Sequence, residues 1–342
     1  MFIGILTGGG DCPGLNSVIR AVVRKGFNEG YATIGIKNGW KGLIEMDTLK
    51  LGLASISGIL PKGGTILGTS RTNPYKKEGD VQKLKENYKK LDLNALIVVG
   101  GEDTLGVASK LIKDGLTNMV GVPKTIDNDL AFTDYSFGFD TAINTATECI
   151  DRLHTTAESH HRIIVVEVMG RNAGWIATES GIAGGADVIL IPEIPIDLNE
   201  VCNLIKKRHQ RGKTFSIVVV AEGAQFKEGT FVTQEQRLDE FGHVRLGGIG
   251  DILGKEIEKR TGFETRVSVL GHIQRGGSPS AFDRILGTRF GAKAVELVKQ
   301  KKFGRMVALS GNKIIDVDIA EATKEIKKVD MELYQIAKEF FG

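Results

Sequence analysis

Short runs of β-branched and other apolar residues recur along the chain, at Phe2 to Leu6, Ala95 to Val99, Met119 to Val122, Ile163 to Val168, Val188 to Ile191, Phe215 to Val220 and Val267 to Leu270. Within each run the apolar residues are contiguous rather than alternating, so both faces of each strand must be buried. Longer amphipathic segments lie between them, among them Leu15 to Lys25, Leu105 to Lys113 and Ala142 to Thr156. Strands buried on both faces and separated by helices predict an α/β fold of mostly parallel sheets with helices on both sides. At 342 residues the chain suits two cores, so two doubly wound, Rossmann-like lobes are expected with a site in the cleft between them. The expected division places 1–138 and 251–300 in one lobe, and 139–250 and 301–342 in the other.

The residues at the carboxyl end of each run are more informative than the runs themselves. Thr7-Gly-Gly-Gly-Asp11, Gly100-Gly-Glu-Asp-Thr104, Pro123 to Asp129, Met169-Gly-Arg171, Pro192-Glu193, Glu222-Gly223 and Gly271 to Gly277 all crowd polar residues and glycine at strand ends. The carboxyl edge of a parallel sheet is where ligands bind, and one cleft gathers such clusters. The charge balance limits what those ligands are. Forty-five Lys and Arg against 42 Asp and Glu leave a net +3, too small a field to suggest nucleic acid or an anionic membrane, so anion binding must be local. No apolar run approaches the roughly 20 residues a membrane span needs. The run beginning at Phe2 has no basic flank or cleavage site, so no signal or transit peptide is expected. Cys12, Cys149 and Cys202 stand far apart, which argues against a zinc site or disulfide framework and suits a reducing cytoplasm.

Thr7 to Gly14 joins a strand to a helix, where bare N–H groups and the positive helix end suit a phosphate. It is not a Walker A loop, because Leu15 and Asn16 stand where Lys and Ser or Thr are required, and G-x-G-x-x-G is missing as well. At Gly100 to Thr104, Asp103 or Thr104 suits an N-cap. Capping leaves Glu102 unexplained, and a hard oxygen ligand for magnesium explains it better. Lys124, Thr125, Asp127 and Asp129 put a cation, a hydroxyl and two carboxylates in one loop. An Asx turn accounts for the aspartates alone, but transfer of a phosphoryl group to an alcohol needs a carboxylate to take the hydroxyl proton, and Asp127 is the candidate. Arg162, Arg171, Arg266 and Arg275, with His272, are expected at or beside the carboxyl ends of three strands, where guanidinium forks suit a phosphate monoester. Glu222 suits sugar hydroxyls.

In this order the motifs resemble the bacterial 6-phosphofructokinase family over nearly the whole chain. The resemblance implies magnesium-dependent phosphoryl transfer to the 1-hydroxyl of fructose 6-phosphate, in a cytoplasmic homodimer or homotetramer whose subunits share active sites. By position, Gly9, Arg71, Gly101 and Thr104 would hold the donor, Glu102 the metal, and Asp127 would be the base, with Asp103, Lys124, Thr125 and Arg171 completing the catalytic set. Thr125, Ile126, Asp127, Met169, Gly170, Arg171, Glu222, His272, Ile273, Gln274 and Arg275 would contact the sugar phosphate, and Arg162 and Arg266 resemble the pair lent across a subunit interface. ATP-using members usually carry glycine where this chain has Asp103, and many carry it where this chain has Lys124. The combination resembles the pyrophosphate-dependent branch. The alternatives are an ATP-dependent enzyme in which Asp103 merely caps its helix, a silent sugar-phosphate-binding module, and a dinucleotide-dependent dehydrogenase, the last disfavoured by the missing glycine fingerprint.

Overall fold

The computed structural model describes residues 1–227 and 247–342. Its strands are β1 (Phe2–Thr7), β2 (Ala32–Ile36), β3 (Thr48–Leu51), β4 (Leu93–Gly100), β5 (Met119–Thr125), β6 (Phe137–Gly138), β7 (Ile163–Val168), β8 (Val188–Leu190), β9 (Ser216–Ala221), β10 (Thr265–Val269), β11 (Arg305–Ser310) and β12 (Lys313–Asp318). They form a larger sheet in the order β12-β11-β5-β4-β1-β2-β3, with β6 beside β5, and a smaller sheet in the order β10-β7-β9-β8. The smaller sheet is parallel throughout. The larger is parallel except where β3 and β12 close its edges by antiparallel pairing.

Alternate residues of each central strand feed different cores, which is why the runs are contiguous. Ile97 and Val99 face a core shared with Leu15, Val18 and Phe290, whereas Leu96 and Val98 face Leu84, Leu105 and Leu111. In the smaller sheet, Val166 and Val219 face the helix Phe139–His160, and Val165 and Val218 face the helices Leu198–Gln210 and Ile249–Thr261. Each fully buried Val, Ile or Leu contributes about 1.5–3 kcal/mol. The first core runs through both sheets without a break, so the lobes are packed against each other.

The expected allocation of the C-terminal half differs from the observed sheets. β10 and the helix Ile249–Thr261 belong with the smaller sheet, while β11 and β12 extend the larger one. Within the same two segments the helix Ala281–Lys299 packs on the helix Leu15–Asn28 of the larger lobe, and Met331–Lys338 returns to the smaller. Contiguous apolar runs show that a strand exists but not which edge it joins. No helix among the described residues is long and apolar enough to cross a membrane.

Candidate active site

The larger sheet reverses its winding between β1 and β4, which lie side by side, so the loops after these two strands splay apart and leave a crevice. The loop after β5 and residues from the smaller lobe complete it. The resulting cleft is lined by Gly9, Gly10, Arg71, Gly101, Glu102, Asp103, Thr104, Lys124, Thr125, Asp127, Asp129, Arg171 and Arg275. Four carboxylates therefore share one crevice with four cations.

The loop after β1 departs from the sequence expectation at Gly8 and Gly9. The N–H groups of Gly8 and Gly9 are spent on the carbonyls of Val99 and Ser70, both at 3.0 Å. Instead, the loop offers carbonyls: Lys124 Nζ donates to Gly10 O, and Arg275 Nη1 donates to Asp11 O at 3.1 Å. A Cβ on residue 10 would lie 2.6 Å from Arg275 Nη1, so glycine is needed there for the guanidinium to approach. The loop thus holds two cations at the cleft wall, and they supply positive charge there.

After β4, the helix Glu102–Lys113 starts at Gly101 without a side-chain cap. Asp103 is therefore not a capping residue, and its carboxylate instead meets the Arg171 guanidinium at 3.7 Å. That ion pair joins the first turn of a larger-lobe helix to the loop after β7 in the smaller lobe. Thr104 is buried and packs under the glycines, since a Cβ on residue 100 would lie 2.3 Å from its own.

The loop after β5 is fixed by its own side chains. Thr125 Oγ1 accepts from the Asp127 N–H at 3.0 Å, Ser136 Oγ donates to Thr125 O at 2.8 Å, and the Lys327 N–H donates to Asp129 O at 2.8 Å. Asp127 is 4% exposed, and its Oδ1 is buried with no hydrogen-bond partner among the described residues. Such an oxygen is costly unless a ligand hydroxyl supplies the missing donor. A turn alone would account for Asp129 in the sequence, yet it is half-buried in the cleft and its carboxyl is pushed up by burial and by Asp127 and Glu102. Burial lowers the Lys124 ammonium to about 8.

Of the other expected contacts, Glu222 accepts from the Arg171 N–H at 3.2 Å, and burial together with Asp127 raises its carboxyl to about 7. Arg171 holds φ 49 and Gly170 φ 139, a strained corner that this carboxylate braces. Met169 is half-buried against the core. Ile126 and Gln274 are fully buried, so Ile126 is a packing residue and neither side chain reaches the cleft. His272 and Ile273 sit on the exposed side of the turn Gly271–Arg275.

Arg162 and Arg266 depart most from expectation. Arg162 directly precedes β7 and Arg266 pairs with Ile164 near the start of β10, so both stand at the amino edge of the smaller sheet. Five residues of strand put them about 17 Å from its carboxyl edge. There they converge on Glu264, Arg162 at 2.9 Å, and Arg162 Nε is buried without a hydrogen-bond partner among the described residues.

A crevice at the switch point of a parallel sheet, pairing carboxylates with cations around an open carboxylate oxygen, belongs to an α/β phosphotransferase. The sequence pattern of the phosphofructokinase family matches residues 2–298. The chain belongs to that family. It is 59% identical to a pyrophosphate–fructose 6-phosphate 1-phosphotransferase of Streptomyces coelicolor, across 100% of both chains. It is also 52% identical to an ATP-dependent 6-phosphofructokinase 3 of the same organism, across 96% of both. Among solved structures, Pichia pastoris phosphofructokinase in the T-state superposes with a TM-score of 0.84 at 32% identity, covering 99% of this chain, which spans 38% of that one.

Proposed function

We propose that the chain transfers a phosphoryl group reversibly from pyrophosphate to the 1-hydroxyl of fructose 6-phosphate, giving fructose 1,6-bisphosphate and phosphate. The open Oδ1 of Asp127 carries this reading, because it is a buried base waiting for a hydroxyl donor beside four cations. In the transfer, Asp127 takes the 1-hydroxyl proton as the sugar oxygen attacks the terminal phosphorus in line. Lys124 and Arg171 balance charge on the departing phosphate, and Arg71 steadies the donor. Magnesium fits the residues present: Glu102 and Asp129 repel one another across the cleft, and a divalent ion relieves that repulsion. Glu102 would hold it, in keeping with the one or two carboxylates magnesium usually takes. When bound, the ion would supply Lewis-acid neutralisation of the phosphate charge.

Donor choice depends on Asp103. Its carboxylate is not needed to cap a helix and stands in the cleft against Arg171, so a donor with a third phosphate and a nucleoside meets like charge and lost volume. Pyrophosphate does not extend that far. Arg162 and Arg266, at the edge remote from the cleft of their own chain, suit the phosphate of a sugar bound in a neighbouring subunit of a cytoplasmic homo-oligomer. His272 and Arg275 serve the sugar 6-phosphate from within.

Because phosphate is the leaving group, purified protein supplied with fructose 1,6-bisphosphate, phosphate and magnesium is expected to form fructose 6-phosphate and pyrophosphate. Failure of this reverse turnover under conditions that support the forward reaction would contradict the assignment. Lys124 gives the reaction a pH dependence. Its ammonium is charged below about 8 and lost above it, so kcat/KM for pyrophosphate should fall as pH rises through that value. Lys124→Met should lower the plateau and remove the limb. A limb that persists unchanged in the variant would assign it to another group.

A further inference from the structure

Asp283 takes no part in the phosphoryl transfer, yet it is a fully buried carboxylate. It lies in the first turn of the helix Ala281–Lys299, which packs on the larger lobe. Its Oδ2 accepts from the Thr141 N–H at 2.8 Å and from the Thr141 hydroxyl. Those donors belong to the start of the helix Phe139–His160, which packs on the smaller sheet and begins at Gly138 with no capping side chain of its own. The tie is reciprocal. Ser280 Oγ donates to Asp140 and accepts from the Asp283 N–H at 3.2 Å, while the Ser280 N–H donates to Thr141 Oγ1 at 3.0 Å.

These are two of the places where the chain crosses between the lobes, leaving the larger sheet after β6 and returning after the turn Gly271–Arg275, before the later crossing to Met331–Lys338. A third element abuts them. Gly14, where the loop after β1 enters its helix, lies against Phe137 and the Asp283 carbonyl. A negative charge here faces the positive starts of two helices at once. Both crossings lead to groups assigned to the acceptor. The residues just before Asp283 carry His272 and Arg275, and the 22-residue helix from Phe139 runs about 33 Å to end beside Arg162.

We propose that Asp283 is the pin of the interlobe joint and a positioning residue for the acceptor, because it ties together the two helix starts that set how the smaller lobe faces Asp127. The proposal rests on fructose 6-phosphate being the acceptor, since that ligand is held from both lobes, whereas Gly9, Arg71, Glu102 and Lys124 hold the donor from one.

The test is steady-state kinetics of the full-length Asp283→Asn protein with fructose 6-phosphate and pyrophosphate varied separately, alongside its melting temperature. KM for fructose 6-phosphate should rise about tenfold, while kcat and KM for pyrophosphate change little. Thr141→Val, which removes the partner hydroxyl, should show the same selective rise, and Thr141→Ser, which restores it, should behave as the parent. Should Asp283→Asn not fold, the Thr141 pair reads the joint from its other side. An unchanged KM for fructose 6-phosphate in a folded variant, or equal changes in all three constants with a lowered melting temperature, would overturn the proposal. A parent protein that does not turn over fructose 6-phosphate at all would remove the acceptor assignment and this proposal with it, and is seen before any variant is made.

Discussion

Replacing Asp127 by Ser is expected to lower kcat about 10³-fold, within the range that a positioned general base supplies, while fructose 6-phosphate still binds. The expectation comes from the geometry of one oxygen. Among the described residues Oδ1 has no donor, and the backbone around it is fixed by the Thr125 hydroxyl and by Ser136, so loop shape does not depend on the lost carboxylate, and the contacts expected to the 6-phosphate come from His272 and Arg275. Serine keeps a small polar group and cannot take the proton at neutral pH. Binding of fructose 6-phosphate by calorimetry and turnover with pyrophosphate, measured on the same preparation, check this. Retained turnover would remove Asp127 as the base, and lost binding would make it a binding residue instead.

Asp103→Gly is expected to change the donor. Pyrophosphate use should fall, because Arg171 loses its 3.7 Å partner and the cleft its present charge balance. ATP use should rise, because a like charge placed against a phosphate costs several kcal/mol and its removal returns that penalty. Together the ratio of kcat/KM for pyrophosphate to that for ATP should drop about 100-fold or more. The measurement is both donors on parent and variant at saturating fructose 6-phosphate. An unchanged ratio would mean that Asp103 acts only on Arg171. The substitution should not unfold the helix Glu102–Lys113, whose start at Gly101 has no side-chain cap to lose.

How far the sequence reveals this molecule depends on the kind of information sought. The central strands are legible because a parallel sheet covered on both faces demands unbroken apolar runs, as at Ala95 to Val99 and Ile163 to Val168. The loops after β1, β4 and β5 are legible as well, since glycine doublets beside acidic residues have few uses at a strand end, and Gly9, Glu102, Lys124 and Asp127 do line the cleft. Whatever depends on partners distant in sequence escapes such a reading. β11 and β12 turn through Gly311 and Asn312, but nothing local says that this hairpin joins β5. Arg162 and Arg266 adjoin strands in the sequence, and only the register shows that they stand at strand starts, which a parallel sheet carries to the edge remote from the cleft. Asp129 looks like half of a turn, because burial and repulsion from Glu102 are properties of the folded cleft. Two of the idle N–H groups expected in the first glycine loop, those of Gly8 and Gly9, are taken by Val99 and Ser70.

Identity alone leaves the donor undecided, since relatives at 59% and 52% carry different donors in their names. The physical argument rests on the uncapped helix start at Gly101 and the Asp103 carboxylate it turns into the cleft. The most direct measurement is a parallel assay of fructose 6-phosphate with magnesium pyrophosphate and with magnesium ATP at equal concentrations. The structure leads us to expect rapid formation of fructose 1,6-bisphosphate from pyrophosphate and little from ATP. Turnover with ATP that equals or exceeds that with pyrophosphate would contradict it.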